Sequence, residues 1–239
     1  MMTMNDEQSA MRYRICVVNG VFVSGGLGED GRVLPPQVFA RLAEHLAETT
    51  GMRAWALWPY CERRVFNVND FARLTRRGLT RYSEHLARCI REDLARDPLR
   101  PDETLAFVVY SGGAPVVQVA AKLLLPEIRT GAYVFFGPAL RPHMTPRNWA
   151  EGAQVGIVLG AQDWVQGVYP RIPRPWHHEA SPGTLARLRA HLPAQTRYHT
   201  LPCNHWPGYF MQETWPALVG AITDLLTPGH QVADHDQAA

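Results

Sequence analysis

Short apolar runs alternate along this chain with stretches that are apolar on one side only, and that alternation limits the possible folds more than any other feature. The runs are YRICVVN (13–19), RAWALW (53–58), TLAFVVY (104–110), AYVFFG (132–137), QVGIVLG (154–160) and RYHTLP (197–202). Most are continuous rather than strictly alternating in polarity, as strands covered on both faces of a parallel sheet are. Between them, PPQVFARLAEHLAETTG (35–51) opens with proline and closes with glycine, the asymmetry of helix ends. LTRYSEHLARCIREDLAR (79–96) carries apolar side chains at three- and four-residue steps, and 114–125, 181–192 and 213–226 complete the helical set. Strands and helices that alternate are joined by right-handed crossovers. The expected fold is α/β: a doubly wound, mostly parallel sheet of about six strands flanked by helices.

The 239 residues suit one core of this kind, with no internal repeat and no dividing linker. The expected organisation is a flexible tail over 1–12, a single α/β domain over 13–226 and a flexible C-terminal tail over 227–239. No window approaches the roughly 18–20 apolar residues of a membrane helix. The opening MMTMNDEQSAMRYR lacks the apolar core of a secretory leader, so a cytoplasmic protein with no integral membrane segment is expected. Cys16, Cys61, Cys89 and Cys203 show no C-x-x-C spacing and are expected to be reduced thiols, neither disulfide-bonded nor zinc-binding. Arg63, Arg64, Arg73, Arg76, Arg77 and Arg81 form a basic run in a chain of net charge +2. It reads as a solvated face of a helical hairpin, and no nucleic-acid partner is expected.

In open α/β sheets, ligands bind just beyond the C-terminal ends of the strands. The third run leads into VVYSGGAPVVQVAA (108–121), a strand, then Ser111 among small residues, then a helix. Such a turn strains the backbone at the serine and exposes its hydroxyl, and small residues two before and two after relieve collision. Gly113 meets that requirement and Val109 does not, so the G-x-S-x-G pattern is degenerate; a serine capping the next helix is the alternative. QVGIVLGAQDWVQG (154–167) places Asp163 three residues past Gly160, where it is a turn aspartate or an acid of the site. RYHTLPCNHWPGYF (197–210) places His205 in a loop after the sixth run. Each of the three follows its own strand, in the order Ser, Asp, His.

That ordered set resembles the α/β-hydrolase family over roughly 13–226. VYSGG matches the family's nucleophile turn, GAQDWV its G-x-x-D-x-V acid stretch, and NHWP the histidine after the last strand, often preceded by glycine. The resemblance implies a Ser111–His205–Asp163 triad. It also implies an oxyanion hole from the Val21 and Gly112 amides, although Asn19-Gly20-Val21 stands where relatives carry His-Gly. Phe22, Trp164 and Trp206 are candidate pocket residues; Trp149, Trp164, Trp176 and Trp206 either line an apolar pocket or cover the core rim. The implied activity is hydrolysis of a small carboxylic ester or thioester through an acyl-enzyme, with no cofactor. Two alternatives stand beside it: a hydrolase-like binding protein without catalysis, and an acyltransferase with the same triad.

GGLGEDG (25–31) contains a formal G-x-G-x-x-G at Gly26, Gly28 and Gly31, but Glu29 and Asp30 would oppose phosphates and no helix begins before Pro35-Pro36. A flexible loop overhanging the site is the expectation there, and Ser24 lacks a following helix to form an elbow. The adjacent His177 and His178 point apart and have no acidic partners, so no metal site is expected. Only about seventeen residues (137–153) separate the fourth and fifth runs, too few for a large helical cap. Access is expected to be open or covered by the 20–36 and 59–78 segments.

Overall fold

The computed structural model describes residues 12–20, 26–27, 33–34, 37–59, 76–125, 127–138, 152–162, 192–193, 195–204 and 208–227. All six apolar runs are strands of one sheet: β1 (Arg12–Val18), β4 (Ala54–Leu57), β5 (Glu103–Tyr110), β6 (Thr130–Phe136), β7 (Gln154–Gly160) and β8 (Arg197–Leu201). The spatial order is β4-β1-β5-β6-β7-β8, and every neighbouring pair is parallel. β1 begins at Arg12, the last residue of the segment read as a tail, and pairs it with Glu103. The two-residue strands β2 (Gly26–Leu27) and β3 (Val33–Leu34) form a separate antiparallel pair. The glycine-rich segment expected to be a plain loop therefore has hairpin-paired flanks; Ser24, Gly28 and Gly31 lie outside the described residues.

Side-chain alternation divides each strand between two cores. Tyr13, Ile15 and Val17 of β1, with Ala106, Val108 and Tyr110 of β5, face α1 (Gln37–Thr50) and α4 (Trp215–Leu226). Cys16 and Val18, with Leu105, Phe107 and Val109, face α2 (Arg76–Arg96) and α3 (Gly113–Leu124). The helices present matching stripes. Phe39, Leu42, Ala43 and Leu46 are the buried set of α1, spaced at three, four and seven residues. At its end Gly51 adopts φ +67° and its N–H reaches the Ala47 carbonyl, the left-handed cap that a residue without Cβ takes most easily. On the other face, the buried Ser83 hydroxyl of α2 donates to the Val116 carbonyl of α3 at 3.0 Å. The helix read over 181–192 and most of the 59–78 segment lie outside the described residues; Arg81, which is described, is exposed.

The N-terminal ends of the central strands are fastened by charge. Glu103, its side chain only 4% exposed, accepts from the Arg53 guanidinium through both carboxylate oxygens and from the Arg100 N–H at 2.9 Å. Arg53 also reaches Asp97, and so does Arg14, whose Nη2 lies 2.8 Å from the carboxylate while its guanidinium stacks 4.7 Å over Trp55. At the far edge, Arg197 of β8 donates to the carbonyls of Asp224, Leu225 and Thr227, covering the C-terminal end of α4. Cys16, Cys89 and Cys203 form no disulfide among the described residues; Cys61 lies outside them. No helix among the described residues is long and apolar enough to cross a membrane.

Hydrogen bonding from Arg53 holds the Glu103 carboxyl below its ordinary range despite burial. A folded-state value below the unfolded one adds stability above the unfolded value, and that stability is lost as pH falls through the folded value. Glu103→Gln is therefore expected to lower stability by about 2 kcal/mol at pH 7. Urea denaturation should show the gap to wild type narrowing at pH 3; an unchanged gap would refute this role for the ionised carboxylate.

Candidate functional site

From β1 the chain crosses to β4 on one side, and β5 resumes on the other side of β1. The C-terminal ends of β1 and β5 therefore flank a topological switch point, where an open α/β sheet leaves a crevice. β5 ends at Tyr110 and α3 begins at Gly113, so the reversal falls on Ser111 and Gly112. Ser111 has φ +46°, the one positive φ at a non-glycine among the described residues. Placing a side chain in that region costs roughly 1–2 kcal/mol. The surroundings impose it: the Ser111 N–H donates to the Phe136 carbonyl of β6 at 3.1 Å, and the Ser111 carbonyl accepts from Ala114 in the first turn of α3 at 3.2 Å. The N-cap of α3 is Gly112, one residue past Ser111. The positive end of the helix dipole lies beside the serine.

Close backbone approach fixes the neighbourhood. A Cβ on Gly20 would stand 2.8 Å from the Ser111 Cβ and 3.0 Å from the Tyr110 carbonyl oxygen. A Cβ on Gly113 would stand 2.7 Å from the Asn19 carbonyl oxygen and 3.0 Å from Val109 Cγ1. The departure from G-x-S-x-G thus has a local explanation, since Val109 fills space that Gly113 leaves. Beneath the turn, the Tyr110 ring packs against Phe39, Phe136, Tyr209 and Phe210, with centroids 5.0–6.0 Å apart. Sequence reasoning noted the aromatic stretch ending at Phe210 but gave it no such role.

Ser111 and Gly112 are the predicted site residues within the described set, and Ser111, at 4% exposed, is buried where an exposed hydroxyl was expected. Val21, Phe22, Asp163, Trp164, His205 and Trp206 lie outside it, as do Trp149, Trp176, His177 and His178. The described residues just before Asp163 and His205 are joined. The Ala161 N–H donates to the Leu201 carbonyl at 2.8 Å, and the Gln162 N–H to the Cys203 carbonyl at 3.0 Å. On either side of 205–207, the Gly208 N–H donates to Asn204 Oδ1 at 3.0 Å. Among the described residues, no group of three or more His, Cys, Asp or Glu side chains gathers as metal ligands would.

Asn19, immediately after β1, is a residue whose setting the sequence did not reveal. It is 0% exposed, and neither Oδ1 nor Nδ2 has a hydrogen-bond partner among the described residues. Each unpaired buried polar group costs about 1–3 kcal/mol. Nothing in a turn-like N-G pair signals such burial.

The strained φ predicts an unusual order of stabilities. Ser111→Gly should be more stable than Ser111→Ala by about 1 kcal/mol, because glycine alone is relieved of the left-handed penalty. Chemical denaturation reads the order directly, and an alanine variant equal to or above glycine would contradict the assigned backbone. Gly20→Ala should lose about 1–3 kcal/mol by overpacking against Ser111; wild-type stability would refute the close approach.

No family model matches the chain, and no curated protein sequence matches it. Solved structures do. A carboxylesterase from Mesorhizobium loti superimposes with a TM-score of 0.55 at 18% identity, over 87% of this chain and 87% of its own. A dienelactone hydrolase-like promiscuous phosphotriesterase from metagenomic libraries gives 0.52 at 16%, over 92% and 89%. A dienelactone hydrolase from Anabaena variabilis gives 0.51 at 16%, over 91% and 84%. These likenesses concern the course of the backbone, and together with the six parallel strands they bear out the expectation read from the sequence: the chain has the α/β-hydrolase fold.

Proposed function

We propose that this protein is a serine hydrolase that cleaves a small carboxylic ester or thioester, with Ser111 as nucleophile, His205 as general base and Asp163 as the group that orients the imidazole. The observation that carries the reading is the left-handed Ser111 at a one-turn passage from strand to helix, beside the switch point of the sheet. A backbone penalty held at a serine in that place has a return if the hydroxyl must project for attack. The names of the structural neighbours, a carboxylesterase and a dienelactone hydrolase among them, agree with ester chemistry. Fold alone does not assign function, so the weight rests on the site.

In the proposed reaction His205 takes the Ser111 proton as the oxygen attacks the acyl carbon, and Asp163 stabilises the imidazolium. Parallel strands lie about 4.8 Å apart, so the loops after β7 and β8 start roughly 10 and 14 Å across the sheet from β5. They must reach back over its edge to meet the serine. The bonds from Ala161 and Gln162 to Leu201 and Cys203 support that reading, since they couple the two chain segments that lead to the acid and the base. The amides of Gly112, at the start of α3, and of Val21 would bind the oxyanion, one such donor being worth roughly 3–4 kcal/mol. Phe22, Trp164 and Trp206 would contact the acyl group, and the chemistry calls for no cofactor. The degenerate elbow, which favoured a non-catalytic binding protein, loses force because Val109 is accommodated against Gly113.

A fluorophosphonate probe is expected to label the native protein and to leave Ser111→Ala unlabelled. p-Nitrophenyl esters of increasing chain length should be hydrolysed by wild type and by Ser24→Ala, and not by Ser111→Ala. Asp163→Asn should reduce kcat by several orders of magnitude, on the scale of roughly 10⁴ for loss of the triad acid. Absence of labelling, or labelling that persists in Ser111→Ala, would overturn the assignment.

A further inference from the structure

Asn19, the residue after β1, is wholly buried. Its carbonyl oxygen lies against Gly113, and the next residue, Gly20, lies against the Cβ of Ser111. Its carboxamide offers two donor hydrogens on Nδ2 and an acceptor at Oδ1, and neither atom is used among the described residues. An apolar side chain of similar volume would avoid that penalty. Nothing among the described residues repays that penalty, and a state formed during the reaction can do so. Acyl transfer at Ser111 creates such a state, because the attacked carbonyl oxygen becomes an anion close to the turn. A donor that gains its partner only then binds the transition state more tightly than the ground state, which is what accelerates a reaction.

We infer that Asn19 is a further catalytic residue: its Nδ2–H donates a hydrogen bond to the oxyanion formed at Ser111, beside the backbone amides. This deepens the serine hydrolase reading and rests on it. No additional bond is made or broken; the amide keeps its protons and supplies only a hydrogen bond while the tetrahedral intermediate exists.

The inference predicts that stability and activity change in opposite directions. Asn19→Val replaces the unpaired amide with an apolar side chain close to it in size, while Asn19→Ala removes the donor hydrogens without adding bulk. Both should lower kcat for p-nitrophenyl acetate by at least about tenfold with KM within about twofold, the pattern of an interaction made only in the transition state. The melting temperature of Asn19→Val should equal or exceed that of wild type. Should the valine variant fail to fold, the alanine variant decides on kcat and KM alone. A kcat within twofold of wild type in a folded variant overturns the inference, and so does a loss of activity in Asn19→Val accompanied by a lower melting temperature. Fluorophosphonate labelling of wild type and Ser111→Ala, run alongside, separates the two ideas. If labelling does not depend on Ser111 the hydrolase reading fails; if it does and the Asn19 variants turn over normally, only this inference fails.

Discussion

A parallel strand that ends two residues before a helix begins leaves almost no chain in which to reverse direction, and β5 and α3 meet under that constraint. Ser111 takes the reversal in a conformation that L-residues avoid. It is held from both sides, by the last carbonyl of β6 and by the first turn of α3. Much of the surrounding structure can be understood as making room for this turn. Gly20 lets the end of β1 lie against it, Gly113 lets the helix start close to β1, and the aromatic side chains around Tyr110 support it from below.

The architecture was legible because two signals agreed at each element. Continuous apolar runs marked strands with cores on both faces, and the β7 run coincides with its strand at 154–160. The first helix was bracketed by proline and glycine, and α1 runs from Gln37 to Thr50 inside those marks. Where the signals conflicted, the reading was short. α2 starts at Arg76, three residues before the segment expected from its apolar spacing, because Arg76, Arg77 and Gly78 carry no apolar period and glycine disfavours helix. The pairing of Gly26–Leu27 with Val33–Leu34 was hidden for a similar reason, since two-residue strands are too short to display a period.

The site was legible in a different measure. Ser111 could be identified as a residue at a strand-to-helix junction, but its sign of φ depends on where β6 and α3 end, which is a property of packing rather than of VYSGG. The sequence made Val109 look like a defect in the elbow; the structure shows it occupying the space above Gly113. Asn19 was noticed only as a substitution for histidine. Its burial, with neither amide atom partnered among the described residues, follows from the approach of two segments distant in sequence, the end of β1 and the serine turn that leads into α3, and no local pattern reports such a meeting.

The arginine and acid network sits at the opposite end of the same strands from the serine. Glu103 and Tyr110 bound β5, and seven steps of about 3.3 Å separate them by roughly 23 Å. That distance exceeds the screening length of about 8 Å at physiological ionic strength. At that separation the charges that secure the sheet act only weakly on the polar groups around Ser111. Attachment to a surface or to a second protein through the end that carries Arg14, Arg53 and Asp97 would leave the serine turn at the other end facing outward.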